Sequence, residues 1–156
     1  MPSYRIPSAL KAEHDELHAE LARATQAGGK TSRAAEAVVR IMHSHFVKEE
    51  EYALPPLGLL GALAAGKFDP GMAAVLRLTD KLEAEMPQML AEHKEIAAAL
   101  NRLIEVAKAE SNSSVVAFAA HLIAHARSEE EIAYPAARLV GRYIRARLDG
   151  GEGRKA

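Results

Sequence analysis

The sequence predicts an all-α protein, namely an antiparallel up-down-up-down four-helix bundle built from two pseudo-symmetric helical hairpins. Four long segments carry apolar residues at helical spacing, almost no segment alternates with period two, and the connections are short. Aromatic residues make up only 4% of the chain, as is usual in bundles rich in alanine and leucine. The bundle is expected to cover residues 1–148, and the glycine-rich residues 149–156 are expected to form a disordered tail.

The first two helices are delimited by residues that favour helix ends. The first helix is predicted over Pro7–Gln26, before a pair of glycines that ends it. The second begins near Thr31 or Ser32, both common N-cap residues, and is interrupted at Pro55-Pro56. The apolar stretch from Leu54 to Ala65 then either closes one end of the bundle and shields it from water, or forms a subunit contact.

The third and fourth helices each contain a proline. Asp69-Pro70 is typical of an N-cap followed by a first-turn proline, and the third helix is predicted over Met72–Ala109, where Pro87 kinks or divides it. The fourth helix follows a polar, cap-forming run and ends near Leu148, with a kink at Pro135.

Charge and composition exclude several classes of function. Twenty basic and 21 acidic side chains nearly balance, so nothing indicates a nucleic-acid or anionic-membrane partner. The chain has no cysteine, which excludes disulfides and cysteine-based zinc sites. No stretch is long and apolar enough to span a membrane, and no signal peptide is visible. A cytoplasmic protein is therefore expected, as a monomer or a homodimer.

The chain repeats itself at an offset of about 80 residues. When the second helix is aligned with the fourth, His45 matches His125 and Glu49 matches Glu129. So many ordered matches, found in all four helices, indicate approximate two-fold symmetry. In the same alignment, Glu50 matches Glu130, Pro55 matches Pro135 and Gly61 matches Gly141. When the first helix is aligned with the third, at an offset one residue shorter, Glu13 matches Glu92 and His14 matches His93.

The matched residues form metal-ligand patterns. His45 and Glu49 are four residues apart and therefore share one helix face, as do His125 and Glu129. The other two helices each contribute one imidazole, so all four can direct ligands to one place in the bundle. Two facing carboxylates can bridge two cations, and burying them without cations would be costly. Such mixed nitrogen and oxygen ligands favour iron, manganese or zinc over calcium or magnesium.

These motifs resemble those of the haemerythrin family, in particular its HHE cation-binding domains, over roughly Ser8 to Gly141. The resemblance depends on two copies of His-x-x-x-Glu, each followed by a proline six residues after the glutamate, and on a Glu-His pair in each of the other two helices. It implies a haemerythrin-like bundle with two iron ions bridged by Glu49 and Glu129, without excluding zinc or manganese. The terminal ligands that it implies are His14, His45, His93 and His125.

The ligand set departs from the family pattern in the third helix. Oxygen-carrying haemerythrins have two histidines four residues apart there, but this chain has Ala97 at the second position. In the first helix, His18 lies one turn after His14, at the place equivalent to Ala97. His18 is therefore the candidate fifth imidazole, with the two halves exchanged. His121, one turn before the ligand of the fourth helix, is a further candidate ligand.

Three residues close in sequence to the proposed ligands are expected outside the ligand set. Glu50 and Glu130 directly follow the two bridging glutamates, so they cannot share the bridging face, although either could touch the edge of the site. His43 lies only two residues from His45, so its side chain is expected to point away from the ligand face, toward the surface.

The resemblance leaves three alternatives for function. The first is a di-iron protein that binds or senses dioxygen, nitric oxide or a related small ligand. The second is an enzyme that breaks down peroxide or other reactive oxygen species. Four rather than five histidine ligands would favour the enzyme, because both irons would then have open positions. Iron storage ranks last, because ferritin-like proteins use Glu-x-x-His and no glutamate here precedes a histidine by three residues.

Overall fold

The computed structural model describes residues 5–152, except for the side chain of Glu152, and every regular element in that range is helical. No strand occurs among these residues, so the prediction of an all-α fold is confirmed. Four long helical segments agree with a four-helix bundle, the fourth being α5 together with α6. The α-helices are α1 (Ser8–Ala24), α2 (Gly29–Lys48), α3 (Leu60–Ala64), α4 (Leu76–Ala109), α5 (Ser113–Ser128) and α6 (Tyr134–Glu152).

Two helices end in a π-helical turn. Glu49–Ala53 extends α2, and Glu129–Ala133 joins α5 to α6. Each turn begins at the glutamate of a His-x-x-x-Glu pair and ends two residues before a proline. Because proline lacks a backbone N–H, the α-helical hydrogen-bond pattern cannot continue unchanged, and the wider turn accommodates the change. In the first turn, the Leu54 N–H donates to the Glu49 carbonyl over 2.9 Å. Pro135 is the second residue of α6, a position that tolerates proline.

The core consists of two clusters of buried apolar side chains at different levels of the bundle. The first contains residues of α1, α2, α5 and the second half of α4, and the second contains residues of the first half of α4, α6 and the segment between α2 and α4. Along α4 the second cluster reaches Met89 and the first begins at Ile96, with His93 between them. The histidines therefore lie between two layers of apolar side chains.

The segment between α2 and α4 packs against the second cluster. It contains the 3₁₀-helices Pro55–Leu59 and Pro70–Val75 on either side of α3. Asp69 caps the second of these, as predicted, because its Oδ1 accepts a hydrogen bond from the Gly71 N–H over 2.6 Å. Leu57 and Met72 are buried, which is what a segment closing one end of the bundle requires. The alternative, a subunit contact, stays a prediction.

Side-chain contacts between α2 and α4 follow opposite orders along the two segments. Residue numbers fall from the C-cap residue Glu110 back along α4 as they rise along α2 and its π turn. Each contact joins a carboxylate to a hydrogen-bond or ion-pair donor. The contacts, from one end to the other, are Thr31 Oγ1 with Glu110 at 2.6 Å, Lys48 with Glu92 at 2.8 Å and Glu51 with Lys81 at 3.3 Å.

Two helices differ from their predicted course. Pro87 lies inside α4, which is not divided there. A proline in a helix interior costs about 3 kcal/mol, and the packing of α4 into both core clusters compensates for that loss.

α2 begins at Gly29, earlier than predicted. Gly28 adopts φ +84°, a conformation that favours glycine, and its N–H donates to Ser32 Oγ over 2.6 Å.

The last helix ends later than predicted. α6 continues to Glu152, so residues 149–152 of the expected disordered tail are helical, and residues 153–156 lie outside the described residues. Among the helices that the structure describes, none is long and apolar enough to cross a membrane.

Candidate metal centre

Six predicted ligands come together between the two core clusters, and all six are buried. They form two groups, and within each group the ligand atoms lie within 4.8 Å of one another. Each group has two imidazoles and one carboxylate, and each residue of one group matches a residue of the other in the sequence repeat. The groups are His14, His125 and Glu129, and His45, His93 and Glu49.

The two groups adjoin through their carboxylates, and every histidine directs its Nε2 atom toward them. Glu49 Oε2 lies 3.6 Å from His14 Nε2, which belongs to the other group. Glu129 Oε1 likewise lies 3.9 Å from His93 Nε2 across the boundary. Each carboxylate is therefore close to imidazoles of both groups, as bridging ligands have to be. Within the groups, the separations are 2.9 Å for His45 Nε2 to Glu49 Oε1, 3.3 Å for His125 Nε2 to Glu129 Oε1 and 3.5 Å for His14 Nε2 to Glu129 Oε2.

The outward-facing Nδ1 atom of each histidine is near a second carboxylate. These outer glutamates also obey the sequence repeat, so the whole arrangement of imidazoles and carboxylates occurs twice. A carboxylate that is hydrogen-bonded here, as in the two pairs at 2.9 Å, fixes the orientation of a ligand imidazole and raises its basicity. The pairs are His14 with Glu50 at 3.7 Å, His93 with Glu130 at 2.9 Å, His45 with Glu92 at 3.7 Å and His125 with Glu13 at 2.9 Å.

Tyr134 adds a phenol to one group only. Its hydroxyl donates to Glu49 Oε1 over 2.5 Å and lies 3.1 Å from His93 Nε2 and 3.4 Å from His45 Nε2. Burial and the charges of the neighbouring glutamates raise the pKa of Tyr134 above its usual value, so the phenol remains a proton donor. The repeat has Leu54 at the matching position.

Several buried atoms of the centre lack a hydrogen-bond partner, and bound cations would supply the missing interaction for most of them. Moving a carboxylate out of water costs several kcal/mol unless its oxygens are compensated. Cations between the two groups would compensate these oxygens and use the inward lone pairs of the imidazoles, so the residues fit such ions. The unpartnered atoms of the centre are Glu49 Oε2, Glu129 Oε2, His125 Nε2, His45 Nδ1 and both ring nitrogens of His14.

The clustered charges of the centre also shift the pKa values of its histidines and glutamates. Burial and the negative charge of Glu49 raise the pKa of Glu129. Burial opposes ionisation of Glu49 as well, but hydrogen bonds from His45 and His93 outweigh it and hold the pKa of Glu49 well below its usual value. Burial alone would lower the pKa of His125, yet Glu129 and Glu13 raise it to about 9. Cations that bind here would therefore displace protons.

The two remaining candidate ligands are exposed. His18 belongs to neither buried group but to a third one, with His14 and Glu50. Its ring centroid is 3.9 Å from that of Phe46. His121 is in none of the metal-ligand groups found in the described part of the chain, and its Nε2 lies 3.7 Å from Glu13 Oε1. Coordination of a metal by His18 or His121 stays a prediction.

Sequence reasoning missed Tyr134 and the role of the outer glutamates. Glu13 and Glu92 were visible as parts of the repeated Glu-His pairs, and Glu50 and Glu130 were expected only at the edge. Tyr134 is five residues from Glu129, a spacing that does not place two side chains on one face of an α-helix. The π turn between them changes that relation, and only the structure reveals the turn.

The comparisons with known proteins agree with this geometry. The family model described as the Hemerythrin HHE cation binding domain matches residues 5–137, which is most of the chain. Neither the comparison with curated proteins nor the comparison with solved structures found a match. A helical chain whose repeated histidines and glutamates meet in one buried cluster, and which the family model matches over this length, belongs to the haemerythrin HHE cation-binding domain family.

Proposed function

We propose that this chain is an antiparallel up-down-up-down bundle that binds two iron ions between its helices. The opposite order of contacts along α2 and α4 supports the antiparallel arrangement. The two buried groups support two ions, because each offers two imidazoles and one carboxylate. Their mixed nitrogen and oxygen donors suit iron, and manganese or zinc are the other occupants that this donor set permits.

The ligand that we propose for this centre is a small molecule such as dioxygen or nitric oxide, which the protein binds or senses. Iron supplies the redox chemistry that such ligands need. The protein contributes an environment from which the two apolar clusters exclude water. It also contributes the Tyr134 hydroxyl, a hydrogen-bond donor beside Glu49.

A second candidate function, breakdown of peroxide or other reactive oxygen species, is favoured by one specific observation. The two buried groups contain four imidazoles, and His18 lies outside both. A centre with four imidazoles and two shared carboxylates leaves coordination positions open at both ions, which favours access of peroxide. Five imidazoles would favour reversible ligand binding instead.

Metal analysis of carboxylate variants tests the proposed centre. Glu49→Ala or Glu129→Ala removes a shared ligand and a neutralising charge, so each variant should lose most of its iron. Glu131→Ala is the matched control, because Glu131 is an exposed acidic residue in the same π turn as Glu129. We expect two iron ions per chain in the wild type and in the control. Wild-type iron content in both Glu49→Ala and Glu129→Ala would refute the shared-carboxylate centre.

Absorption spectra of the iron-loaded protein separate the two functions. Reduced protein should be exposed to air, to nitric oxide and to hydrogen peroxide in turn, with zinc-loaded protein as the spectroscopically silent control. Visible bands that appear with air and disappear when oxygen is removed would support reversible binding. Rapid release of oxygen from peroxide, without a reversible spectral change in air, would support the enzyme.

A further inference from the structure

One corner of the centre, formed by His14, His18 and Glu50, extends to the protein surface. His14 is buried, His18 is exposed and Glu50 is partly exposed, and the three offer ligand atoms within 4.8 Å of one another. His14 Nδ1 lies 3.7 Å from Glu50 Oε1 and has no hydrogen-bond partner, although it is fully buried. An imidazole nitrogen without a partner therefore points into a group that reaches solvent.

The opposite corner, related by the repeat, lacks these features. There, His93 Nδ1 is hydrogen-bonded to Glu130 over 2.9 Å, whereas the matching pair His14 and Glu50 are too far apart for such a bond. The counterpart of His18 is Ala97, which cannot bind a metal. The difference between the corners is local, because the buried ligands themselves match.

Two neighbouring residues, Phe46 and Lys11, affect how a cation could bind to this group. The Phe46 ring packs against the His18 ring, with 3.9 Å between their centroids, and restricts the positions of an otherwise exposed imidazole. The Lys11 ammonium lies 3.5 Å from Glu50 Oε1, so a positive charge already lies next to this carboxylate. Lys11 is also paired with Asp15, so a metal ion can replace it at Glu50 without leaving Lys11 unpaired.

We propose that His14, His18 and Glu50 form an outer binding site for a divalent transition-metal ion, through which the buried centre is loaded. This inference rests on the proposed metal centre. His14 connects the two sites, because its Nδ1 faces the outer group while its Nε2 lies 3.6 Å from Glu49 and 3.5 Å from Glu129. His18 and Glu50 supply the contacts that an ion arriving from solvent meets first.

The two nitrogens of His14 explain why the outer site is transient. A neutral imidazole has one nitrogen with a free lone pair and one that carries a proton. An ion held by Nδ1 leaves the proton on Nε2, and an ion held by Nε2 leaves it on Nδ1. Passage inward is therefore a ligand exchange with no transfer of electrons. The Nε2 proton is released as the cation binds Nε2, and Nδ1 takes up a proton from solvent, so the ring has no net gain or loss of protons. Once His14 serves the buried centre, the outer site loses its third ligand.

The rate of metal uptake tests this site. Metal-free full-length protein is mixed rapidly with Co²⁺, and the visible absorption of the bound ion is followed over time. The variant is His18→Ala, and the matched control is His43→Ala, because His43 is an exposed histidine outside every metal-ligand group of the described residues. Removing one of three ligands weakens the outer site. A loss of affinity of about tenfold, at the lower end of what a disturbed metal site shows, should slow uptake by the same factor at subsaturating Co²⁺. The final stoichiometry of two ions and the final spectrum should equal those of the wild type, and His43→Ala should behave as the wild type.

Each other outcome has a definite meaning. Uptake by His18→Ala at the wild-type rate would overturn the loading site while leaving the buried centre intact. A changed final spectrum or a lower final stoichiometry in His18→Ala would also overturn it, because His18 would then be a permanent fifth ligand. Wild-type protein that binds no Co²⁺ would instead refute the proposed metal centre itself.

Discussion

The Tyr134 hydroxyl donates to Glu49 Oε1 over 2.5 Å, deep between the two core clusters. The matching residue of the repeat, Leu54, is also buried but has no polar atom in its side chain. The two halves of the centre are therefore chemically unequal, although their histidines and glutamates correspond one to one. The half that contains Glu49 has a proton donor of its own.

Tyr134→Phe removes this donor and leaves the ring in place. A hydrogen bond to a charged group contributes about 1.5–3 kcal/mol, so we expect the free energy of unfolding of the metal-free protein to fall by that amount in urea denaturation. Tyr52→Phe is the matched control, because Tyr52 is equally buried but its hydroxyl donates to a weak acceptor, Met89 Sδ, at 3.7 Å. Equal decreases in the free energy of unfolding of the two variants would mean that the hydrogen bond from Tyr134 to Glu49 contributes no more to stability than the contact of Tyr52 with Met89.

The stability of the metal-free protein should depend on pH in a defined direction. His125 titrates near 6.5 when unfolded and at about 9 when folded. Its stabilising contribution is therefore complete below pH 6.5 and is lost as the pH rises through about 9. Burial and the charge of Glu49 raise the pKa of Glu129, so its effect has the same sign, with stability lost as the pH rises from the usual carboxyl range through the folded pKa.

We accordingly expect the free energy of unfolding of metal-free protein to be lower at pH 9 than at pH 6.5. Urea denaturation at both values measures it. Iron-loaded protein is the control, since bound cations replace these protons and should remove most of the dependence. Metal-free protein that becomes more stable toward pH 9 would contradict the assignment of these charges.

Glu130 should matter for the metal affinity of the buried centre even though it belongs to neither buried ligand group. Glu130 is hydrogen-bonded to His93 Nδ1 over 2.9 Å. Losing such a partner typically weakens metal binding about 10- to 100-fold, so Glu130→Gln should do so in a competition titration against a chelator. Glu131→Gln, one residue further and exposed, should leave the affinity unchanged. A similar loss in both variants would point to a general charge effect rather than to orientation of His93.

A repeat-related pair of glycines provides a test of helix packing. A Cβ atom on Gly141 would lie 2.6 Å from Thr79 Cβ, so α6 and α4 approach too closely there for any other residue. Overpacking of this kind costs about 1–3 kcal/mol, and Gly141→Ala should lower the free energy of unfolding accordingly. Its counterpart, Gly61, has no atom within 4 Å of such a Cβ.

Gly61→Ala should therefore be neutral or stabilise the protein by about 0.5–1 kcal/mol, the usual preference for alanine over glycine inside a helix. Thermal or urea denaturation of the two variants side by side measures the contrast. Destabilisation by Gly61→Ala equal to that by Gly141→Ala would show that the close approach of α4 and α6 is not the cause.

Apolar residues at helical spacing were sufficient to predict the helical fold, and the repeated motifs were sufficient to predict the six residues that meet in the two buried groups. Helical periodicity is a local property, so His45 and Glu49 must share a face wherever α2 lies. A buried face that carries repeated charges also needs a compensating partner, which made a cation the natural prediction. Both arguments hold without knowledge of how the helices pack.

Packing decided the features that depend on contacts between helices. Tyr134 reaches Glu49 because a π turn changes the register of the fourth segment just before it, and no residue pattern revealed that turn. His18, one helical turn from His14, lies against Phe46 outside both buried groups, whereas the repeat alone made it a candidate fifth ligand. Spacing along one helix determines which side chains share a face, whereas the rotation and distance of the neighbouring helix determine which atoms that face meets.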